Sequence, residues 1–173
     1  MAKRTAGAAL ASLVAASTLA SAPAIGQTPA GPGRNSFWVG VGLGLGSEDF
    51  AGSLNGSYQF GANLVSIRSA ATAGLFDDGF SDVALLYGRA TRSPRDRYQF
   101  GAALGVAVVD GCRGGGVFSS CRNAPSVIGL PLELQAFWRP GSLIGLGLYG
   151  FANLNQTRSF AGVTLGLQLG RLR

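Results

Sequence analysis

Large apolar residues alternate with glycine or small polar residues along most of this sequence, and this period of two constrains the fold more than any other feature. Every second residue from Phe37 to Leu45 is large and apolar, and a glycine separates each such residue from the next between Val39 and Leu45. Successive side chains of a β-strand point to opposite faces, so one face of this segment is apolar and the other almost bare. The pattern predicts β-strands.

Eight segments show this alternation, and an even number of strands allows an antiparallel sheet to close into an up-and-down barrel. The segments are residues 37–46, 52–60, 65–72, 83–87, 98–108, 128–138, 144–149 and 162–170. Eight spans of about ten residues need roughly 80 residues, which this chain can supply, whereas a sixteen-stranded porin would need roughly 160. We therefore predict an all-β fold, an eight-stranded antiparallel up-and-down barrel.

The composition indicates which face of the strands is the outside. The chain is 47% hydrophobic and only 13% charged, and the face opposite the apolar one consists mainly of glycine, serine, asparagine and glutamine. Solvated strand faces usually carry more charge. No run approaches the roughly 20 apolar residues of a membrane-spanning helix. A lipid-facing apolar exterior around a small polar interior explains this contrast and predicts a transmembrane β-barrel.

The first residues have the features of a secretory signal peptide. Lys3 and Arg4 precede an apolar stretch at residues 6–16, and small residues in an A-x-A pattern follow. We predict a signal peptide over residues 1–24, with cleavage between 22 and 30, and a barrel domain over residues 35–173. The formal charge is +6, but for an exported chain whose arginines are scattered over turns we expect no nucleic-acid partner.

The connections and the aromatic residues predict the orientation of the barrel. Short connections at residues 61–63, 91–97 and 140–142 define one end, and the longest loop, residues 110–126, lies at the other, as expected for the extracellular side. Seven aromatic residues share the apolar phase near the short-turn end and predict an interfacial aromatic girdle: Phe37, Tyr58, Phe60, Tyr87, Tyr98, Phe100 and Trp138.

The FWVGVGLGLGS segment at residues 37–47 and the GVTLGLQLG segment at residues 162–170 carry a family resemblance. The mature chain resembles the small eight-stranded outer-membrane β-barrels of Gram-negative bacteria, the OmpA/OmpX-type transmembrane domains. The resemblance implies location in the outer membrane. It implies as partners the outer-membrane lipid, lipopolysaccharide and, during assembly, the barrel-insertion machinery. We expect a monomer.

Two ionisable residues lie on the polar face in the middle of predicted strands. Arg68 and Glu133 are expected to form an ion pair in the lumen, because a buried carboxylate needs a partner. Three glutamines are expected to complete the network: Gln99, Gln135 and Gln168. A proton-transfer or ligand-orienting role for Glu133 is the alternative. Since eight strands leave room for little more than side chains, we predict a filled lumen.

The longest loop contains the two cysteines of the chain. Cys112 and Cys121 are separated by eight residues. In an exported protein two cysteines at this spacing favour a disulfide bond. A redox or metal-binding pair is the alternative, but the loop contains no histidine that could act as a further ligand.

Three arginines near the predicted outer edge are candidate lipopolysaccharide contacts, since the guanidinium group matches phosphate oxygens. They are Arg113, Arg122 and Arg158. Solvated loop cations are the alternative. The acidic pairs at residues 48–49 and 77–78 could share a divalent cation, although solvated carboxylates are the favoured interpretation, and we expect no metal site.

The chain contains no histidine, which excludes Ser-His-Asp and Cys-His nucleophile systems. Enzymes on barrels of this family use a histidine, so we predict no enzymatic activity. Residues 145–150 match G-x-G-x-x-G, but no helical period follows, so we expect strand glycines and no cofactor. The predicted function is a non-enzymatic structural or surface role with extracellular loops. The alternatives are a barrel that binds or transports a small hydrophobic ligand, with Tyr149, Phe151 and Phe160 near its mouth, or a secreted lipocalin-like barrel.

Overall fold

The computed structural model describes residues 35–74, 79–93, 95, 97–113, 122–123 and 125–172. These residues form nine strands: β1 (Ser36–Gly46), β2 (Asp49–Phe60), β3 (Asn63–Ala73), β4 (Gly79–Arg92), β5 (Tyr98–Arg113), β6 (Arg122–Asn123), β7 (Val127–Trp138), β8 (Ile144–Asn155) and β9 (Phe160–Arg171). Within these ranges no helix is long and apolar enough to cross a membrane. The predicted signal peptide lies outside the described residues and stays a prediction.

Eight long strands close into a barrel in which every neighbouring pair is antiparallel. The order around the wall is β1, β2, β3, β4, β5, β7, β8, β9 and back to β1. The two-residue strand β6 pairs only with the end of β5, where it extends the hairpin beyond the barrel wall. The predicted eight-stranded antiparallel barrel is therefore confirmed.

The observed strands extend beyond the segments that alternation alone marked. β4 begins at Gly79, whereas the pattern placed its start at Val83, and β5 has 16 residues. The predicted five-residue connection after β1 is a two-residue turn at residues 47–48. Asp49 follows it at φ 73°, and the amide of Phe50 donates to the carbonyl oxygen of Glu48, a strained γ-turn geometry. The longer strands bring more side chains into the interior than the sequence indicated.

Burial alternates along the strands with the predicted phase. Leu130 and Leu165 on the apolar face are 46% and 74% exposed, whereas Gln168 on the opposite face is 1% exposed. The polar face thus lines the interior and the apolar face forms the outer wall. This arrangement contradicts the lipocalin-like alternative, which requires the apolar face to point inward.

The glycines of β1 leave space that side chains of neighbouring strands occupy. A Cβ atom at Gly40 would lie 2.3 Å from the Asn55 Oδ1 atom, and one at Gly42 would lie 2.4 Å from the Thr164 Oγ1 atom. Real carbon and oxygen atoms do not approach this closely, so larger residues cannot be accommodated without displacing those side chains. The glycine-rich face of β1 therefore serves close packing inside the barrel.

Candidate functional site

The centre of the interior contains an ion pair between two adjacent strands. The Nη2 atom of Arg68 in β3 lies 2.5 Å from the Oδ2 atom of Asp82 in β4, and both side chains have no exposed surface. The Nε atom of Arg68 donates to Asp82 Oδ1 at 3.3 Å, and its Nη1 atom donates to the carbonyl oxygen of Leu132 in β7 at 2.8 Å. Asn153 in β8 donates to Asp82 at 2.7 Å. This cluster links four strands across the interior.

The predicted ion pair between Arg68 and Glu133 is wrong in its partner, although both residues are buried in the interior. The register pairs Ala70 with Asp82 and Arg68 with Ala84, so Arg68 and Asp82 are diagonal neighbours on adjacent strands. Glu133 lies in β7, three strands away around the wall. The closer carboxylate therefore binds the guanidinium group.

Neutral donors surround the Glu133 carboxylate. The Oε1 atom accepts hydrogen bonds from the Ser66 hydroxyl at 3.2 Å and from the Gln135 amide at 2.5 Å, and the Tyr149 hydroxyl donates to Oε2. Gln168 in turn donates to Gln135 at 3.2 Å. Two of the three predicted glutamines thus belong to this network. Such hydrogen bonds provide the compensation that a buried carboxylate requires.

The third predicted glutamine lies in a separate cluster near the short-turn end. Gln99 donates to the side-chain oxygen of Gln59 at 3.3 Å, and Arg92 donates to the same oxygen at 3.1 Å and to Ser36 at 2.5 Å. Arg92 was not among the predicted interior residues. The period-two pattern could have found it, since Arg92 follows the inward residue Ala90 by two positions.

A second arginine missed by sequence analysis occupies the same end of the interior. The guanidinium carbon of Arg139 lies 4.9 Å from the Trp38 ring centroid, within cation–π range. Arg139 also donates to the carbonyl oxygen of Leu172 at 3.1 Å and to Gln168 at 3.3 Å. Trp38, Arg139 and Leu172 are all almost completely buried. Together they fill the short-turn end of the barrel.

Aromatic side chains fill the opposite end of the interior. The rings of Phe80 and Phe160 are stacked at 6.3 Å, and Phe151 meets Phe160 edge-on at 6.4 Å. The Arg68 guanidinium lies 5.6 Å from the Phe151 ring. All three phenylalanines are buried. Two of the residues expected to line an open ligand mouth therefore pack against each other.

The outer wall carries the seven aromatic residues that were predicted to form an interfacial girdle. All seven are between 38% and 57% exposed and lie toward the short-turn ends of their strands: Phe37, Tyr58, Phe60, Tyr87, Tyr98, Phe100 and Trp138. The register aligns Phe37 with Tyr58 and Tyr98 with Trp138 across strand pairs. The structure thus places them on the outer surface near one end of the barrel.

Solved structures of three bacterial proteins have this architecture. Neisserial surface protein A aligns with a TM-score of 0.60 at 8% identity, over 78% of this chain and 96% of that protein. The N-terminal β-barrel domain of Pseudomonas aeruginosa OprF gives 0.60 at 8% identity, over 80% and 98% of the two chains. The Yersinia pestis attachment invasion locus protein Ail, solved with the heparin analogue sucrose octasulfate, gives 0.55 at 14% identity, over 81% and 99%.

This chain has the fold of the small eight-stranded outer-membrane β-barrels. The identities are too low to indicate more than the fold. No protein-family model matches the sequence, and no curated protein matches it.

The loop end of this outer-membrane barrel fold contains most of the remaining predicted residues. Cys121 lies outside the described residues, as do the side chains of Cys112, Arg113 and Arg122. The disulfide bond and all three lipopolysaccharide contacts stay predictions. The third arginine is described. Arg158 binds Glu48 at 2.8 Å with 49% of its side chain exposed, and it lies 5.4 Å from the Phe80 ring.

Proposed function

We propose that this chain is an integral protein of the Gram-negative outer membrane, exported through a signal peptide, with a non-enzymatic structural or surface role. The observation that carries the proposal is the inversion of the usual burial pattern: apolar side chains cover the outer wall, while charged and amide side chains are buried inside. In water such a wall would aggregate, whereas acyl chains solvate it. The structural neighbours include an outer-membrane protein of Yersinia pestis.

Fractionation tests this proposal directly. We expect the native protein to partition with outer membranes, to require detergent for extraction, and to change its migration on a gel after boiling, because a closed barrel resists unfolding by the gel detergent. A protein of similar size with an inward apolar face would stay in the aqueous fraction. Recovery of folded protein from the periplasm without detergent would contradict the proposal.

We further propose that the barrel interior is filled and does not conduct. Bulky side chains occupy it at three levels: Trp38 and Arg139 near the short turns, Arg68 and Tyr149 in the centre, and the phenylalanine cluster near the loops. Eight-stranded barrels enclose little more space than such side chains need. This packing also argues against a hydrophobic ligand in the lumen.

Planar-bilayer recordings check the filled interior. We expect the reconstituted protein to give no stepwise conductance of the size that porins show, because buried side chains already occupy the interior. A porin inserted under the same conditions is the positive control. Long-lived open channels of comparable size in most insertions would overturn the proposal of a filled lumen.

Contacts at the loop end extend this proposal to the outer leaflet. Arg113, Arg122 and Arg158 are the proposed partners for lipopolysaccharide phosphates, and a disulfide between Cys112 and Cys121 would hold the loop that carries two of these arginines. The exposed half of the Arg158 side chain supports its participation, since a guanidinium group can bind a carboxylate and a phosphate at once through its five donors.

A further inference from the structure

The outer wall of the barrel is not smooth, because a groove of about 740 Å³ crosses it from β4 to β9. Three small residues face outward along the groove: Ala102 in β5, Ala136 in β7 and Gly150 in β8. Larger residues border them on neighbouring strands, and the register pairs Ala102 with Leu134 and Ala136 with Leu148. The groove thus has a floor of small residues and sides of large apolar side chains.

A second depression of about 530 Å³ continues this groove toward the loop end. The two share Leu134, Gly150 and Val163, and the second runs on past Ala152 and Ala161. At the other extreme, the first groove reaches β4 near the end of that strand at Arg92. The combined path therefore climbs obliquely from the short-turn end toward the loop end and is apolar along most of its course.

Two ionisable residues line the path. The Glu133 side chain is buried in the interior, so Arg89, at the short-turn end, is the charged side chain that faces the groove. Arg89 points outward from β4, is exposed, and pairs in register with Ala102 on the groove floor. Its guanidinium group has no hydrogen bond or ion pair with any described residue. An arginine beside an apolar wall can extend its head toward a membrane surface while its stem stays among apolar groups.

The short-turn end as a whole is basic. The described arginines exposed at this end are Arg89, Arg95, Arg97 and Arg171, whereas Arg92 and Arg139 bind interior groups. Every acidic residue of the described ranges lies in the interior or toward the loops, and Asp96, in the turn after β4, is outside those ranges. Anionic headgroups complement such a surface, and each arginine near a membrane surface contributes about 1 kcal/mol to their attraction.

We propose that the groove binds one acyl chain of an anionic phospholipid whose phosphate group is held by Arg89. The inference rests on the proposed membrane location, with the short-turn end in a phospholipid leaflet. A flexible acyl chain can follow an oblique channel and contact the apolar side chains on both of its sides. A second copy of this chain fits the groove less well than a lipid. Copies in one membrane share an orientation, so their Arg89 side chains would lie at the same depth and like charges would meet.

The experiment uses the full-length protein reconstituted in vesicles that contain equal amounts of phosphatidylglycerol and phosphatidylcholine, followed by extraction in mild detergent and native mass spectrometry. We expect one retained phospholipid per barrel, with phosphatidylglycerol preferred. Gly150→Leu fills the groove, and space is available for it because an added Cβ atom would lie 3.8 Å from its nearest neighbour. This variant should lose the retained lipid. Arg89→Gln should lower the preference for phosphatidylglycerol roughly fivefold.

Two control variants separate the groove from general effects. Gly56→Leu adds the same side chain on the outer wall, away from the groove, where an added Cβ atom meets nothing within 4 Å. Arg171→Gln removes an outward arginine at the same end of the barrel. Both controls should retain lipid with the unmodified preference. Heat-modifiable migration of every variant shows that the barrel has formed.

The outcomes distinguish the lipid site from the proposed function. Folded, membrane-inserted barrels in which Gly150→Leu retains as much lipid as Gly56→Leu would overturn the lipid site and leave the membrane location intact. Loss of a dimer in Gly150→Leu, with no change in lipid, would assign the groove to a second copy instead. A protein that needs neither detergent nor vesicles would refute the proposed function itself.

Discussion

Replacement of Arg68 by methionine should lower the free energy of unfolding by about 3–5 kcal/mol, the cost of breaking a buried ion pair by removal of one partner. The loss follows because the fully buried Asp82 side chain would lose its counter-charge and would keep, among the described residues, only the Asn153 amide as a hydrogen-bond donor. Urea titration of the folded barrel in lipid vesicles, with heat-modifiable migration as the measure of the folded fraction, gives this value.

Two further variants show whether the charge pair is the cause. Arg158→Met removes the arginine of a pair with Glu48 whose arginine side chain is 49% exposed, and such pairs contribute about 1 kcal/mol or less. The double variant Arg68→Met with Asp82→Asn removes both charges and keeps a polar partner for Asn153, so it should recover most of the lost stability. A double variant as unstable as Arg68→Met alone would show that Asp82 is not the reason.

The barrel could be predicted from the sequence because one physical constraint acts on nearly every residue. A strand with lipid on one face and a packed interior on the other must alternate, and Phe37 to Leu45 or the leucines of β7 and β9 do so almost without exception. The constraint concerns one side chain at a time and depends on no partner. For this reason the strand number and the outward face were both predicted correctly.

The partner of Arg68 could not be predicted in the same way, because a pair depends on strand register. The alternation that predicts β4 begins clearly only at Val83, so Asp82 falls outside the predicted strand. In the structure β4 begins at Gly79, which makes Asp82 an inward residue in phase with Ala84 and Leu86. If the alternation is continued backwards from Val83, Ser81 falls on the outward face and Asp82 on the inward face, which identifies Asp82 as an interior residue. The choice between Asp82 and Glu133 still required the register.

The packing role of each individual glycine also could not be predicted from the sequence. The alternation indicates that β1 is bare on its inner face, but it does not say what occupies the space. Gly40 and Gly42 face polar side chains, whereas Gly44 faces the backbone of β9. Side chains can rotate away from an added methyl group and backbone cannot, so these glycines differ in the cost of substitution. That difference can be measured.

Replacement of Gly44 by valine should prevent stable folding or lower the free energy of unfolding by about 3 kcal/mol or more, at or beyond the upper end of overpacking costs. A Cβ atom at this position would lie 2.1 Å from the carbonyl oxygen of Val163 and 2.7 Å from the Cα atom of Thr164. Relief of these contacts requires β1 and β9 to separate where the register aligns Gly44 with Thr164. Refolding yield into vesicles and urea titration measure the effect.

Gly56→Val is the matched control, since the same residue is introduced on the neighbouring strand β2 at an outward position with nothing within 4 Å of the new Cβ atom. This variant should fold with unchanged or slightly higher stability, because valine loses less backbone entropy than glycine and favours strands. Equal destabilisation by the two substitutions would mean that valine disturbs any strand of this barrel. A large loss confined to Gly44→Val would instead show that close contact between the backbones of β1 and β9 requires a glycine where these strands close the barrel.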